Sequence, residues 1–232
     1  MLSSLRFGAF LAYSPHGRSP AELASQAVCR QIKRDGYVSR GRRFEPVIPY
    51  AIRRLRECLR EELAGTTALA DLLAPDVVLV PAPGSAPPPP RQRDALWVPH
   101  RICMALLAAG FGSHMEPLLA RRQAVRKSAA AGRRQRPGVL QHFESFAVRP
   151  PAGGTPARIV LVDDVITRGA TLLAGASRLA AAFPAAEVSA FALVRTQRPI
   201  DHQGGRQRFR AIVDPATALV TLSRYGSWRR DP

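Results

Sequence analysis

Features of metal-binding and membrane proteins are scarce in this chain. Its three cysteines, Cys29, Cys58 and Cys103, form no CxxC pair, and this excludes the spacing of a cysteine-rich zinc site. We expect them to be buried apolar residues in a reducing compartment. The five histidines form no cluster with ligand spacing either, so we expect no histidine metal site.

Long apolar runs are also absent. No run approaches the roughly twenty residues that a helix needs to span a bilayer, so we expect no membrane insertion. The first residues, MLSSLRFGAFLAYSPHGR, lack a basic stretch ahead of a long apolar one, and we interpret this as the absence of a secretion signal. The sequence therefore predicts a cytoplasmic protein.

Acidic residues are few relative to basic ones. The chain of 232 residues has 34 lysines and arginines against 17 acids, a net charge of +17, and its only lysines are Lys33 and Lys127. This balance favours polyanionic ligands, nucleic acid or both; a solvated, arginine-rich surface is the alternative. The apolar fraction of 46% is ordinary for a globular chain, and the length fits one large domain or a core with an appendage.

Several nucleotide-binding and catalytic motifs are missing. The chain has no GxxxxGK[ST] and no GxGxxG after a predicted strand, which argues against a P-loop NTPase and a Rossmann dinucleotide site. It also lacks HExxH and GxSxG, the signatures of zinc proteases and α/β-hydrolases.

Apolar periodicity predicts an alternation of strands and helices. We expect helices from the Ser19-Pro20 start signal and over residues 49–63, 98–109 and 170–183. We expect strands over residues 77–83, 157–164 and 187–196, a short one near 209–213, and basic or proline-rich loops over 39–44, 84–93 and 120–142. Strand–helix–strand spacing of this kind predicts an α/β fold with a parallel sheet and right-handed crossovers.

Two adjacent acids, Asp163 and Asp164, stand where a predicted buried strand meets a turn, in ARIVLVDDVITRGATL. Ligands bind outside the carboxyl ends of parallel strands. A carboxylate there can accept hydrogen bonds from ribose hydroxyls or hold a hydrated Mg²⁺ through water; acids that merely cap a turn are the alternative. The following TRGAT is expected to open a helix whose N–H groups and hydroxyls bind an anion. Together these features describe a ribose 5-phosphate site.

The segment IVLVDDVITRGAT, residues 159–171, resembles the signature by which type I phosphoribosyltransferases bind 5-phosphoribosyl 1-pyrophosphate (PRPP). The order of a strand ending in VPAP, a basic linker, FAV at 146–148 and a strand ending in LVRT is similar to the ComF-like branch, without its N-terminal zinc segment. The resemblance covers roughly residues 47–198. It implies the type I phosphoribosyltransferase fold, a parallel sheet flanked by helices with a small N-terminal helical or hood region.

The resemblance also implies roles for individual residues. Asp163 and Asp164 would bind the ribose hydroxyls and, indirectly, Mg²⁺. The 5-phosphate would be bound by Val165, Ile166, Thr167, Arg168, Gly169, Ala170 and Thr171. The pyrophosphate would be met by Pro81, Ala82, Pro83, Gly84, Arg121 and Arg122. Arg126 and Lys127 would act with the acids in catalysis, on a mobile loop that also carries Arg133 and Arg134.

Three segments follow from this interpretation: a hood or extension over residues 1–45, a phosphoribosyltransferase-like core over 46–200 and a C-terminal extension over 201–232. Tyr225, Trp228 and Phe209 are the aromatic residues that could stack on a base, with simple packing as the alternative. Arg91 and Arg93 follow the proline run of GSAPPPP.

Three functions stay open at this point. The first is a Mg²⁺-dependent phosphoribosyltransferase that transfers ribose 5-phosphate to a nucleobase or another acceptor. The second is a non-catalytic PRPP or nucleotide sensor, for example a component of a defence system. The third is a ComF-like protein associated with uptake of single-stranded DNA, which has nucleic acid or a nucleic-acid-bound protein as its partner. An oligomeric assembly is compatible with all three.

Overall fold

The computed structural model describes residues 1–61, 67–87, 96–126, 137–196, 213–222 and 228–230. The helices are α1 Pro20–Lys33, α2 Val47–Arg60, α3 Thr67–Leu72, α4 Val98–Ala108, α5 Val139–Ser145 and α6 Ala170–Ala182. The strands are β1 Ser4–Tyr13, β2 Tyr37–Arg40, β3 Arg43–Pro46, β4 Val78–Pro81, β5 His114–Met115, β6 Leu119–Arg121, β7 Phe146–Val148, β8 Arg158–Ile166, β9 Glu187–Thr196, β10 Val213–Leu222 and β11 Trp228–Arg230.

The main sheet has the strand order β11-β10-β1-β9-β8-β4-β5. Strands β1, β9, β8, β4 and β5 run parallel to one another, whereas β10 and β11 extend the β1 edge in antiparallel fashion. The predicted α/β class, a parallel sheet flanked by helices, is confirmed. Since the central strands are parallel, their carboxyl ends meet at one edge of the sheet.

Each central strand is buried on both faces, as its apolar run requires. In β8, Val160 and Val162 join a cluster with α1, α2 and α4, whereas Ile159 and Leu161 join a second cluster with α6 on the opposite face. This alternation is the two-residue period of a strand. The resulting three layers, helices, sheet and helices, hold the end of β8 in a rigid frame.

Strand β1 was not predicted, because residues 1–45 were expected to form a hood or extension. In the structure, β1 lies in the sheet between β9 and β10, with Phe7 paired to Ala190 and Tyr13 to Thr196. Its residues from Phe7 to Ala12 are all buried. Strands β10 and β11, from the predicted C-terminal extension, join the same sheet. Both end segments thus complete the sheet, while the boundaries at residues 45 and 200 stay a prediction.

Helix α1 follows the predicted start signal. Ser19 is its N-cap, and the Glu22 carboxylate accepts from the Ser19 backbone N–H at 3.0 Å, which closes a capping box. Within the part of the chain that the structure describes, no helix combines the length and apolar character that a bilayer crossing requires.

Four local predictions need correction. Residues 120–142 were expected to be a loop, but the first of them belong to β6 and the last of them to α5, which begins at Val139. Residues 39–44 were expected to be a loop but form most of the β2–β3 hairpin, whose turn uses Gly41 at a φ of 63°. The strand predicted near 209–213 is observed as β10, which begins at Val213, where the predicted one ends. Strand β8 continues to Ile166, two residues beyond the acid pair, because Val165 and Ile166 still pair with β9.

Candidate functional site

The acid pair lies near the carboxyl end of β8. Asp163 is in register with Ala192 of β9, and both acids are half-buried. The Asp164 N–H donates to Asp163 Oδ1 at 2.9 Å, and the Val165 N–H donates to Asp164 Oδ1 at 2.8 Å. These bonds hold the two carboxylates close to the backbone, and they leave acceptor capacity for a ligand.

The two acids have different electrostatic neighbours. The charge of Asp163 affects the pKa of Arg121 on β6, whereas the charge of Asp164 affects the pKa of Cys29 on α1. This separation follows from the alternation of side chains along a strand, which sends successive residues to opposite faces of the sheet. The two carboxylates still interact, because the charge of Asp164 contributes to the raised pKa of Asp163.

Asp163 resists ionisation more than an ordinary aspartate does. Burial, followed by the neighbouring Asp164 carboxylate, raises its pKa well above the ordinary value, and Lys33 at the end of α1 opposes this shift. Burial and the adjacent carboxylate both disfavour a negative charge on Asp163. A ligand that brings hydroxyl donors or a cation to Asp163 would therefore favour its charged form and release a proton.

The loop after β8 forms one wall of a pocket with about 370 Å³ of empty space, part of it open to solvent. Asp163 and every residue predicted to bind the 5-phosphate line this pocket: Val165, Ile166, Thr167, Arg168, Gly169, Ala170 and Thr171. Pro137 and Leu172 complete the lining. The structure therefore brings one of the two acids and the whole predicted loop to a single cavity.

Gly169 explains why this loop can turn into a helix so abruptly. It is the N-cap of α6 with a φ of 78°, a left-handed conformation that glycine adopts without strain. The first N–H groups of α6 consequently face the pocket end of the helix, where the helix dipole favours an anion. Thr167 and Arg168 are exposed beside this turn.

The segment after β4 lies beside the acid pair, as a parallel neighbour of β8 must. Pro81 is in register with Val162, and the Ala82 N–H donates to the Val162 carbonyl at 2.8 Å. Trp97 Nε1 donates to the Ala82 carbonyl at 2.8 Å. The predicted pyrophosphate segment is thus held from both sides at its start, one strand away from Asp163.

Gly84 and Ser85 connect this segment to the basic stretch after β6. Arg121 Nε donates to the Gly84 carbonyl at 2.9 Å, and the Val125 N–H donates to the Ser85 carbonyl at 2.7 Å. The predicted pyrophosphate segment and the start of the basic linker are therefore neighbours in space. Arg122 and Arg126, both exposed, follow Arg121 on this linker.

Arg121 itself is a buried cation. It is only 5% exposed, its guanidinium carbon lies 4.0 Å from the centre of the Phe146 ring, and it donates to Ser145 Oγ. Burial lowers its pKa to about 10, against the opposing effect of Asp163. It thus remains charged at neutral pH, and its hydrogen bonds to Gly84, His142 and Ser145 are all made within the protein.

His142 and Trp97 were not among the predicted site residues. His142 is 4% exposed, and its ring lies within hydrogen-bond distance of both Arg121 and Thr171. Nothing in the local pattern of VLQHFES or of LWVPH separates these residues from ordinary packing residues. Only their long-range contacts reveal them.

Other predicted site residues lie outside the described residues. These are Lys127, Arg91, Arg93, Arg133, Arg134, Phe209 and Tyr225. Trp228 belongs to β11, of whose side chains nothing is described. Across the described ranges, no three His, Cys, Asp or Glu side chains gather in the manner of an all-protein metal site.

The fold and pocket together define an α/β protein with an acid pair at the carboxyl edge of a parallel sheet, followed by a pocket-lining loop that caps helix α6. No family model matches the chain. No curated protein matches it either.

Two solved structures show a distant likeness. One is adenine phosphoribosyltransferase from Leishmania tarentolae, 16% identical, with a TM-score of 0.33 over 77% of this chain and 89% of that one. The other is adenine phosphoribosyltransferase from Leishmania donovani, 14% identical, with a TM-score of 0.34 over 83% of this chain and 90% of that one. At these scores the likenesses do not support a function for this chain.

Proposed function

We propose that this chain is a type I phosphoribosyltransferase that binds PRPP and transfers ribose 5-phosphate to an acceptor with release of pyrophosphate. The observation that carries the proposal is the single pocket lined by Asp163 and by the loop from Val165 to Thr171. An acceptor of hydroxyl hydrogen bonds and a set of donors for a phosphate stand side by side there. A phosphorylated ribose offers the matching groups at its two ends.

The acids would bind the ribose hydroxyls. Because Asp163 resists ionisation in the free protein, hydroxyl donors would have to favour its charged form, and part of their binding free energy would offset that ionisation. The 5-phosphate would lie at the start of α6, where backbone N–H groups, the helix dipole and the Thr171 hydroxyl are available.

The leaving pyrophosphate would lie toward Pro81–Gly84 and the basic linker. Charge develops on the leaving oxygen as its bond to the sugar stretches, and preorganised cations stabilise that charge. Arg121 provides a permanent positive charge beneath this region, while the exposed Arg122 and Arg126 are candidates for direct contact.

Mg²⁺ fits the donor set as a companion of the substrate. This ion usually keeps several waters and binds through one or two carboxylates together with substrate phosphates, and Asp163 and Asp164 are two adjacent carboxylates at the end of β8. When bound, it would supply positive charge to the pyrophosphate. The acids would hold it through water, while they also orient the sugar.

Binding of ribose 5-phosphate tests the proposal most directly. We expect calorimetric binding by the wild-type protein and a loss of at least about tenfold in the Asp163→Asn/Asp164→Asn double variant, since charged hydrogen bonds are removed. Asp76→Asn is a matched control, because Asp76 lies before β4 at the opposite end of the sheet, in an exposed ion pair with Arg158. Absence of wild-type binding to both ribose 5-phosphate and PRPP would contradict the proposal.

Release of pyrophosphate separates the enzyme from a sensor. With PRPP, Mg²⁺ and a panel of nucleobases and amines, an enzyme releases pyrophosphate, and the double acid variant does not. A PRPP sensor binds without release. A nucleic-acid-binding protein, which the charge of +17 favours, would bind oligonucleotides with an affinity that falls steeply with salt and survives the acid substitutions.

A further inference from the structure

A chain of polar contacts runs beneath the pocket from β6 to α6. Arg121 NH1 lies 3.3 Å from His142 Nδ1, and His142 Nε2 lies 3.5 Å from Thr171 Oγ1. Arg121 and His142 are buried, whereas Thr171 is half-buried and lines the pocket. These two contacts connect a buried cation to a hydroxyl at the pocket wall.

The donor and acceptor properties of the three groups determine the direction of each hydrogen bond. A guanidinium can only donate hydrogen bonds, so His142 Nδ1 must accept from Arg121. In a neutral imidazole the proton then lies on Nε2, which donates to Thr171 Oγ1. With one oxygen lone pair occupied in this way, the Thr171 hydroxyl is oriented to donate its own proton away from His142.

His142 is held neutral by its surroundings. Burial and, to a lesser extent, the nearby charge of Arg121 lower its pKa to about 4. At neutral pH the ring is therefore uncharged, and the hydrogen bond that it accepts from Arg121 selects one tautomer. The centre of the Phe146 ring lies 6.2 Å away, and the two rings are inclined by 22°.

Arg121 is in turn anchored at the other side of the site. Its Nε donates to the Gly84 carbonyl at 2.9 Å, and NH1 also donates to Ser145 Oγ. One guanidinium therefore touches both the segment after β4 and the histidine that contacts Thr171 in the first turn of α6.

We propose that His142 is a positioning residue that fixes the Thr171 hydroxyl as a hydrogen-bond donor to the bound phosphate, and that Arg121 sets the tautomer in which it does so. This inference rests on the proposed phosphoribose site. In this role Arg121 links the segment after β4 to His142 and does not contact pyrophosphate directly.

The tautomer of His142 is the first test. In long-range ¹H–¹⁵N spectra of the imidazole-labelled 232-residue protein near pH 7, we expect the proton of His142 on Nε2 with Nδ1 unprotonated. Assignment would use the His142→Gln variant, which lacks the signal. A proton on Nδ1, or a doubly protonated ring, would overturn the proposed chain.

A double-mutant cycle is the second test, with ribose 5-phosphate as the titrant. Thr171→Val removes the hydroxyl at constant volume and should weaken binding by about tenfold. His142→Phe keeps an aromatic ring but loses both hydrogen bonds, and we expect binding to weaken several-fold. In the Thr171→Val background the same His142→Phe change should have almost no further effect, because its action passes through the hydroxyl.

Two conservative variants control for damage to the fold. Thr171→Ser retains a hydroxyl, and His142→Gln retains one acceptor and one donor, so both should bind ribose 5-phosphate within about threefold of wild type. If His142→Phe weakened binding equally with and without the Thr171 hydroxyl, its role would be structural and the inference wrong. Failure of the wild-type protein to bind would instead refute the proposed function, and this role with it.

Discussion

Individual residues at the end of β8 have different environments although they are neighbours in sequence. The charge of Asp163 affects the pKa of Arg121, whereas the charge of Asp164 affects the pKa of Cys29 on the other side of the sheet. The sequence predicted the pair as two carboxylates at a strand end. The pKa of Asp163 is raised well above its ordinary value by burial in the tertiary structure and, after that, by the adjacent Asp164 carboxylate.

His142 should make the protein sensitive to mild acid. Its pKa is about 4 in the folded protein and about 6.5 when unfolded, so the folded state favours the neutral ring. The stabilisation is complete above about pH 6.5 and is lost as the pH falls toward about 4, because the unfolded chain takes up the proton first. The full effect is on the order of 3 kcal/mol.

Urea unfolding at a series of pH values checks this prediction. The free energy of unfolding of the wild-type protein should fall more steeply between about pH 6.5 and 4 than that of His142→Gln. Comparing the two proteins removes the contribution of Asp163, whose raised pKa acts in the opposite direction, with stability lost as the pH rises. Parallel curves for the two proteins would contradict the assigned pKa.

At the scale of elements, the unit of β8, its loop and α6 behaves as the sequence predicts. Helix α6 begins at Ala170 and β9 spans the predicted residues 187–196. These segments are long and strongly apolar, so their local pattern decides their structure. The β2–β3 hairpin was missed because three arginines and a glycine dominate its turn, and a pattern of charges does not reveal a short exposed strand pair.

Close packing of α6 on β8 depends on Gly175. A Cβ at this position would lie 2.7 Å from Leu161 Cδ2 and 2.9 Å from Leu119 Cδ2. We expect Gly175→Ala to destabilise the protein by about 1 kcal/mol, since overpacking of a buried contact outweighs the better helix propensity of alanine.

The measurement is the denaturant midpoint, with Gly153→Ala as the matched control. A Cβ on Gly153 meets no atom within 4 Å, so this variant should unfold at the wild-type midpoint. A Gly175→Ala protein as stable as the control would show that the leucines move aside without cost.

At the scale of the whole molecule, the acids and the excess of arginine are distributed unevenly. Arg6 and Arg158 pair with Asp71, Asp76 and Glu187 near the amino ends of the central strands. These exposed pairs contribute little to stability individually. These ion pairs lie at the opposite end of the sheet from Asp163 and Asp164, which stand near the carboxyl end of β8, where the proposed ligand would bind.

All three cysteines are internal, and this gives a whole-molecule measure of folding. Cys29, Cys58 and Cys103 are at most 4% exposed. Burial raises the pKa of Cys29 to about 11 and also raises those of Cys58 and Cys103. Since the thiolate is the reactive form, the folded protein should react very slowly with a thiol reagent.

Titration with Ellman's reagent near pH 8 tests this prediction. We expect almost no fast-reacting thiol in the native protein and three after unfolding in guanidinium chloride, in agreement with the sequence. Fast reaction of one thiol in the native protein would show that its helix opens readily, and single Cys→Ser variants would identify it.

The sequence by itself determined the local parts of this protein: the buried strand, the acid pair, the loop that begins α6, and the alternation of strands and helices that produces a parallel sheet. Each depends on residues within a few positions of one another. The tertiary structure decided the rest. It inserted β1 between β9 and β10, brought Gly84 to Arg121, and placed His142 against Thr171. These contacts join residues at least 29 positions apart, so they follow from strand order and helix packing, which local periodicity does not encode.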